Sequence, residues 1–194
     1  DSMQEAFQWI LRVKNRYQIR ILNISVGACS KRGMSENSAL VKGVNRAWDA
    51  GLVVVVAAGN NGPRTMSITT PGISRKVITV GCSDDDREVL VGGNRMVDYS
   101  GRGPTAACIC KPDLVAPGCS VVSCSSRADK YTIKSGTSMS TPIVSGAVAL
   151  LLERFPDMSN KDVKLRLRES SVDIGLPRNQ QGWGLLDVGK MLER

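Results

Sequence analysis

Leu52-Val53-Val54-Val55-Val56-Ala57-Ala58-Gly59-Asn60-Asn61-Gly62-Pro63 is the stretch that decides the fold. Consecutive valines cannot alternate between an apolar and a wet face. The strand over residues 52–58 must therefore be buried on both faces, as in a parallel sheet covered by helices. The Asn-Asn-Gly-Pro after it reads as a turn at the strand's C-terminal end. Before it, Leu40, Val41, Val44 and Trp48 share one side of a helix expected over residues 36–50, with Gly51 at its end. Earlier still, Ala6, Trp9, Ile10 and Val13 recur at helical spacing, and residues 19–26 read as a strand. After it, a turn at Pro71-Gly72 leads to a strand over 76–81, and short strands and turns fill 88–134. A long apolar helix then runs from Ser138 through Val144, Val148, Leu151 and Leu152 to Phe155. Pro142 falls in its opening turns, where a missing donor costs little, and Pro156 stops it. Ser159 is the expected cap of the next helix, with Asp162 three residues on. This alternation describes one α/β unit without repeats or linkers. It opens on a helix where a doubly wound sheet normally opens on a strand, which points to a segment upstream.

Composition narrows the function. With 194 residues, 42% hydrophobic and 23% charged, the chain can build a single core and is not a disordered or fibrous sequence. Its longest apolar run, residues 52–58, is far short of the roughly 18 residues a membrane span needs, so no membrane partner is expected. The formal charge is +8, from 26 Lys+Arg against 18 Asp+Glu. The basic stripe Lys161, Lys164, Arg166 and Arg168 is interrupted by Asp162 and Glu169 and interleaved with Val163, Leu165 and Leu167. It reads as a solvated helix face rather than a nucleic-acid surface. Three Tyr, three Trp and two Phe give no stacking platform for single strands.

Histidine is absent, which removes the usual general base, the zinc imidazole and the His-based pH switch from within this chain. The cysteines are Cys29, Cys82, Cys108, Cys110, Cys119 and Cys124. The spacings 108/110 and 119/124 match no zinc pattern, so no metal ligands are assigned; the thiols read as free and mostly buried, which favours a reducing compartment.

Two segments carry chemistry. Gly136-Thr137-Ser138-Met139-Ser140-Thr141-Pro142 is a small-residue turn running into a buried helix. It sets the Ser138 hydroxyl beside unsatisfied N–H groups and the positive end of the helix dipole. A serine that attacks an acyl carbon needs such a place, because the oxyanion it creates must be bound. By itself the segment also fits an ordinary Ser/Thr cap. Asn60 ends the buried strand, where open α/β sheets bind ligands, and its amide could be a second oxyanion donor; locally, a plain turn is the stronger reading.

Together these segments resemble the subtilases, the subtilisin-like serine proteases. The resemblance runs in the family's order through Ile24-Ser25-Val26-Gly27, Ala57-Ala58-Gly59-Asn60, the loops 99–104 and 111–118, Gly136 to Pro142, and Gly182-Trp183-Gly184-Leu185-Leu186-Asp187. It implies a three-layer α/β sandwich with a mostly parallel sheet. Residues 1–194 would then be the C-terminal portion of a single catalytic domain, incomplete because its N-terminal part is missing. The implied activity is hydrolysis of peptide bonds through an acyl-enzyme on Ser138, with Asn60 and the Ser138 N–H as the oxyanion hole. Ser25, Val26 and Gly27 would pair with an extended peptide substrate. Ala57, Ala58 and Gly59 would wall the specificity pocket, and Asn61 and Thr69 would tune it.

The family's triad runs Asp, His, Ser, which places the first two upstream. Asp113, in a Pro-flanked segment, reads as structural, and Ile143 replaces a non-catalytic His common after the motif's proline. This chain alone is therefore expected to be nearly inert, since losing the triad His costs subtilisin on the order of 10⁶ in turnover. The alternative is a catalytically dead homologue that grips peptides. No cofactor is required; a structural calcium at carbonyls of residues 70–74 is the one cation considered. An exposed sheet edge is expected to promote self-association. The resemblance to leaderless bacterial subtilases suggests a cytoplasmic location, with secretion as the alternative.

Overall fold

The computed structural model describes residues 2–27, 37–126 and 130–193. Helix α1 (Ser2–Val13) and strand β1 (Ile21–Ile24) lead to helix α2 (Ala39–Asp49) and strand β2 (Val53–Ala57). Strands β3 (Ile78–Cys82), β4 (Val89–Val91), β5 (Asn94–Met96), β6 (Leu114–Ala116), β7 (Val121–Cys124) and β8 (Tyr131–Lys134) follow. Helices α3 (Thr137–Arg154), α4 (Asn160–Ser170), α5 (Arg178–Gln181) and α6 (Val188–Leu192) complete the chain.

Strands β1, β2, β3 and β6 form one parallel sheet in that order. The valines of β2 are buried as the run requires, Val54, Val55 and Val56 completely. Helix α3 lies across all four strands, α2 packs on β2 with α1 behind it, and α6 rests on α3 and α4. The result is the expected α/β sandwich, in which the parallel strands aim their C-terminal ends at the start of α3. Strands β4 and β5, and β7 and β8, form separate antiparallel hairpins. Among the described residues, no helix is long and apolar enough to cross a membrane.

Several elements differ from the sequence reading for local reasons. The strand expected over 19–26 is shorter because the Ile19 N–H turns back to the Lys14 carbonyl. At its other end, Ser25 leaves the ladder and offers its carbonyl to Ser138. Helix α2 begins at Ala39 because the Ser38 side chain accepts the Val41 N–H; the expected start at Glu36 lies outside the described residues. Residues 114–116, within a segment read as a loop, are the fourth strand of the sheet. Ser159 and Asp162 do form a capping box. The hydrogen bonds from Ser159 hold the Asp162 carboxyl below its usual range.

The basic stripe on α4 is only partly a solvated face. Lys164 turns inward, where its ammonium donates to the carbonyls of Arg75, Lys76 and Val77 and lies 3.4 Å from Asp113 Oδ1. Lys111, 1% exposed, pairs with Asp113 Oδ2 at 2.5 Å and donates to the Val77 carbonyl at 3.0 Å. Asp113 Oδ2 also accepts the Thr79 N–H at 2.7 Å. Asp113 is thus the hub that pins β3 to β6, as its structural reading requires. Burial lowers the Lys111 ammonium to about 8, against the opposing pull of Asp113.

Cys82, Cys108, Cys110, Cys119 and Cys124 are free thiols, and Cys29 lies outside the described residues. Only Cys82 is buried among them, which corrects the expectation of mostly buried thiols: Cys124 is exposed on the β7–β8 ribbon and Cys108 and Cys110 on a loop. Burial pushes the Cys82 thiol far above its usual range.

Replacing Lys111 by Met is expected to cost about 3–5 kcal/mol, because it leaves a buried carboxylate with the more distant Lys164 as its one charged partner among the described residues. The check is urea unfolding: the midpoint should fall while the slope is unchanged, whereas an unaltered midpoint would remove Asp113 as a structural hub.

Candidate active site

Helix α3 starts without a cap of its own, since Gly136 at the N-cap position has no side chain and a φ of 141°. The cap comes from the end of β2. Asn60 Oδ1 accepts the Thr137 backbone N–H at 3.0 Å and the Thr137 hydroxyl at 3.0 Å. An N–H can only donate, so the carboxamide oxygen must face Thr137 and Nδ2 must face away. Nδ2 has no acceptor among the described residues and stands 3.2 Å from where a Cβ on Gly136 would be. Thr137 Oγ1 in turn accepts the Gly59 N–H at 3.1 Å.

Ser138 follows, half-buried in the first turn of α3, where backbone N–H groups lack intrahelical acceptors and the dipole is positive. Its hydroxyl donates to the Ser25 carbonyl at 2.9 Å. Ser138, Asn60 and Ser25 therefore meet beyond the C-terminal ends of β1 and β2, the usual ligand position in an open α/β sheet.

The remaining residues singled out from the sequence surround this point unevenly. Val26, 60% exposed, and Gly27 present free surface, and Ser25 is half-buried. A Cβ on Gly27 or on Gly59 would strike the Thr69 side chain. Thr69, itself buried, donates through both its N–H (2.8 Å) and its hydroxyl (3.2 Å) to the Ala58 carbonyl. Ala57 and Ala58 are buried, and Ala58 packs with Val41, Ile68 and Ile73. Of residues 57–59, only Gly59 keeps surface beside Asn60, and Asn61 is exposed. Sequence reasoning overlooked Thr137, the residue that orients Asn60. Its signal was a hydroxyl directly before the serine, at a helix start with no other cap.

The carbonyls of residues 70–74 fit calcium poorly. Pro71 O already accepts the Ser74 N–H and Gly72 O the Thr79 hydroxyl, and the segment is buried. A calcium ion takes about six to eight oxygens, and two of these five carbonyls already accept hydrogen bonds.

The family model described as the subtilase family matches residues 1–184. This chain belongs to the subtilase family. Serine protease AprX of Bacillus subtilis (strain 168) is 40% identical over 167 residues, covering 79% of this subtilase chain and 38% of AprX. Subtilisin DY of Bacillus licheniformis is 34% identical over 170 residues, covering 87% of this chain and 55% of its own. Among solved structures, Sphericase superposes with a TM-score of 0.77 at 28% identity, covering 96% of this chain and 63% of that one. The subtilase chain thus spans 38% to 55% of these two curated relatives.

Gly59, at φ +94° with Thr69 against it, tolerates no side chain. Gly59→Ala is expected to lower stability by about 1–3 kcal/mol. Calorimetry should show a lower Tm; an unchanged Tm would mean that the contact between Thr69 and Gly59 is loose.

Proposed function

We propose that this chain is part of a serine endopeptidase in which Ser138 Oγ attacks the scissile carbonyl. The oxyanion would be bound by the Ser138 N–H and Asn60 Nδ2. What supports this most is the Asn60 carboxamide: its oxygen is held by Thr137, and its nitrogen, beside Gly136, has no acceptor among the described residues. Donors fixed before the reaction stabilise developing charge without reorganising. An extended peptide laid along Ser25, Val26 and Gly27 would bring its carbonyl over Ser138. The hydroxyl would then leave the Ser25 carbonyl and pass its proton to a base. The sequence contains no histidine, so in this reading the imidazole and its Asp partner come from outside these 194 residues. The Ser138–acyl bond forms as the amine departs with that proton, and water then hydrolyses the ester.

Substrates in this reading are peptides or proteins. Strand β1 has a ladder partner on one side only among the described residues, with Ile21 and Leu22 half-buried, and supports self-association. On compartment, a relative named as a halolysin-like extracellular serine protease, from Natrialba magadii and 33% identical over 138 residues, supports secretion over the cytoplasm.

The test uses a fluorophosphonate probe. The isolated chain is expected to label at the rate of an ordinary surface serine. Joined to the Asp- and His-bearing part of a subtilase domain, it should label at Ser138 and cleave a peptide ester. In that form Asn60→Ala should lower turnover about 10²–10³-fold, a magnitude carried over from subtilisin itself. Rapid labelling of the isolated chain would contradict the account. Peptide binding without labelling in the joined form would identify a catalytically dead homologue instead.

A further inference from the structure

A second group of reactive side chains lies beside the Ser138 helix, outside the proposed catalytic machinery. Cys82 ends β3 and Cys119 follows β6; their Sγ atoms and a carboxylate oxygen of Asp84 all lie within 4.8 Å of one another. Cys82 Sγ is 3.1 Å from Asp84 Oδ1, and Tyr99 Oη is 3.2 Å from each sulfur. The group is held firmly from behind. Asp84 Oδ1 accepts the N–H groups of Gly118 (2.7 Å) and Cys119 (3.1 Å), and the buried Tyr99 hydroxyl also lies 3.2 Å from the Gly118 carbonyl, as its donor. Ser140 Oγ, fully buried, has no hydrogen-bond partner among the described residues, and a Cβ on Gly118 would strike both it and Cys82 Sγ. One thiol ends β3 and the other lies in the turn between β6 and β7, so no short cysteine spacing announces them.

We propose that Cys82, Cys119 and Asp84 form a binding site for a thiophilic divalent cation, zinc, entered from the half-exposed Cys119 side. Two thiolates and a carboxylate suit borderline-soft zinc and not calcium or magnesium, which take oxygen ligands. Tetrahedral zinc with bonds of about 2.3 Å holds its sulfurs about 3.8 Å apart, a separation compatible with this cluster. The fourth position falls to water or to the Tyr99 oxygen. Binding forms two Zn–S bonds and breaks two S–H bonds; two protons leave to solvent and nothing is oxidised or reduced. The cation would tie the ends of β3 and β6 to Gly118, whose carbonyl accepts the Gly136 N–H at 2.9 Å one residue before Thr137. The site stands whether or not Ser138 is a nucleophile.

The test titrates the whole chain, with Cys29, Cys108, Cys110 and Cys124 changed to Ser, against Cd²⁺ under a phosphine reductant. One equivalent should bind with a thiolate-to-cadmium charge-transfer band in the ultraviolet, and Zn²⁺ should displace it. Adding Cys119→Ser should weaken binding at least about tenfold, a loss that even outer-sphere partners can produce, with far-ultraviolet circular dichroism unchanged. Independently, Zn²⁺ should slow alkylation of Cys119 in the chain with all its cysteines. A titration that Cys119→Ser leaves superimposable on its parent, binding of less than half an equivalent, or alkylation indifferent to Zn²⁺ would each overturn the proposal.

Discussion

Two hydrogen bonds from Thr137 to the carboxamide oxygen of Asn60, both 3.0 Å, join the end of β2 to the start of α3, and the geometry of the site depends on them. They act as a helix cap supplied from another element, because Gly136 has no side chain with which to cap. They also fix which end of Asn60 faces outward. A single polar contact therefore starts the helix, sets the position of Ser138 within its first turn, and leaves the Asn60 amide nitrogen facing away from Thr137.

That contact works only because both of its ends are held rigidly. Strand β2 is buried on both faces between helices, so Asn60 emerges from a strand held in the middle of the core. Helix α3 crosses all four strands and is pinned by Val144, Val148 and Leu151. Beneath the sheet, Asp113 gathers Lys111, Lys164 and the Thr79 N–H into a buried polar knot. Each of its members is satisfied, which is the condition under which buried charge is tolerated. Gly118 links this frame to the site through its bond to the Gly136 N–H.

The sheet was legible from residues 52–58 alone, because a run of valines has one physical solution. The long helix was legible from its apolar length and its flanking prolines. The short strand β6 and helices α5 and α6 were not, since three to five residues carry too little periodicity to stand out from a loop. The inward turn of Lys164 escaped for a different reason. Its partners are carbonyls of residues 75–77, so nothing on its own helix marks it as buried. At the site, Ser138 and Asn60 were readable as a serine at a helix start and an asparagine at a strand end. Thr137, which orients Asn60, and Cys82 beside Cys119 were not, because each acts only through a neighbour distant in sequence.

Amide hydrogen exchange at Thr137 tests the clamp most directly. In the unaltered chain the Thr137 N–H should exchange as slowly as core amides of α3, and Asn60→Ala should speed it at least about tenfold, the equivalent of one lost hydrogen bond to a helix cap. A Thr137 amide that exchanges as fast as exposed loop positions, or at the same rate with and without Asn60, would contradict the account.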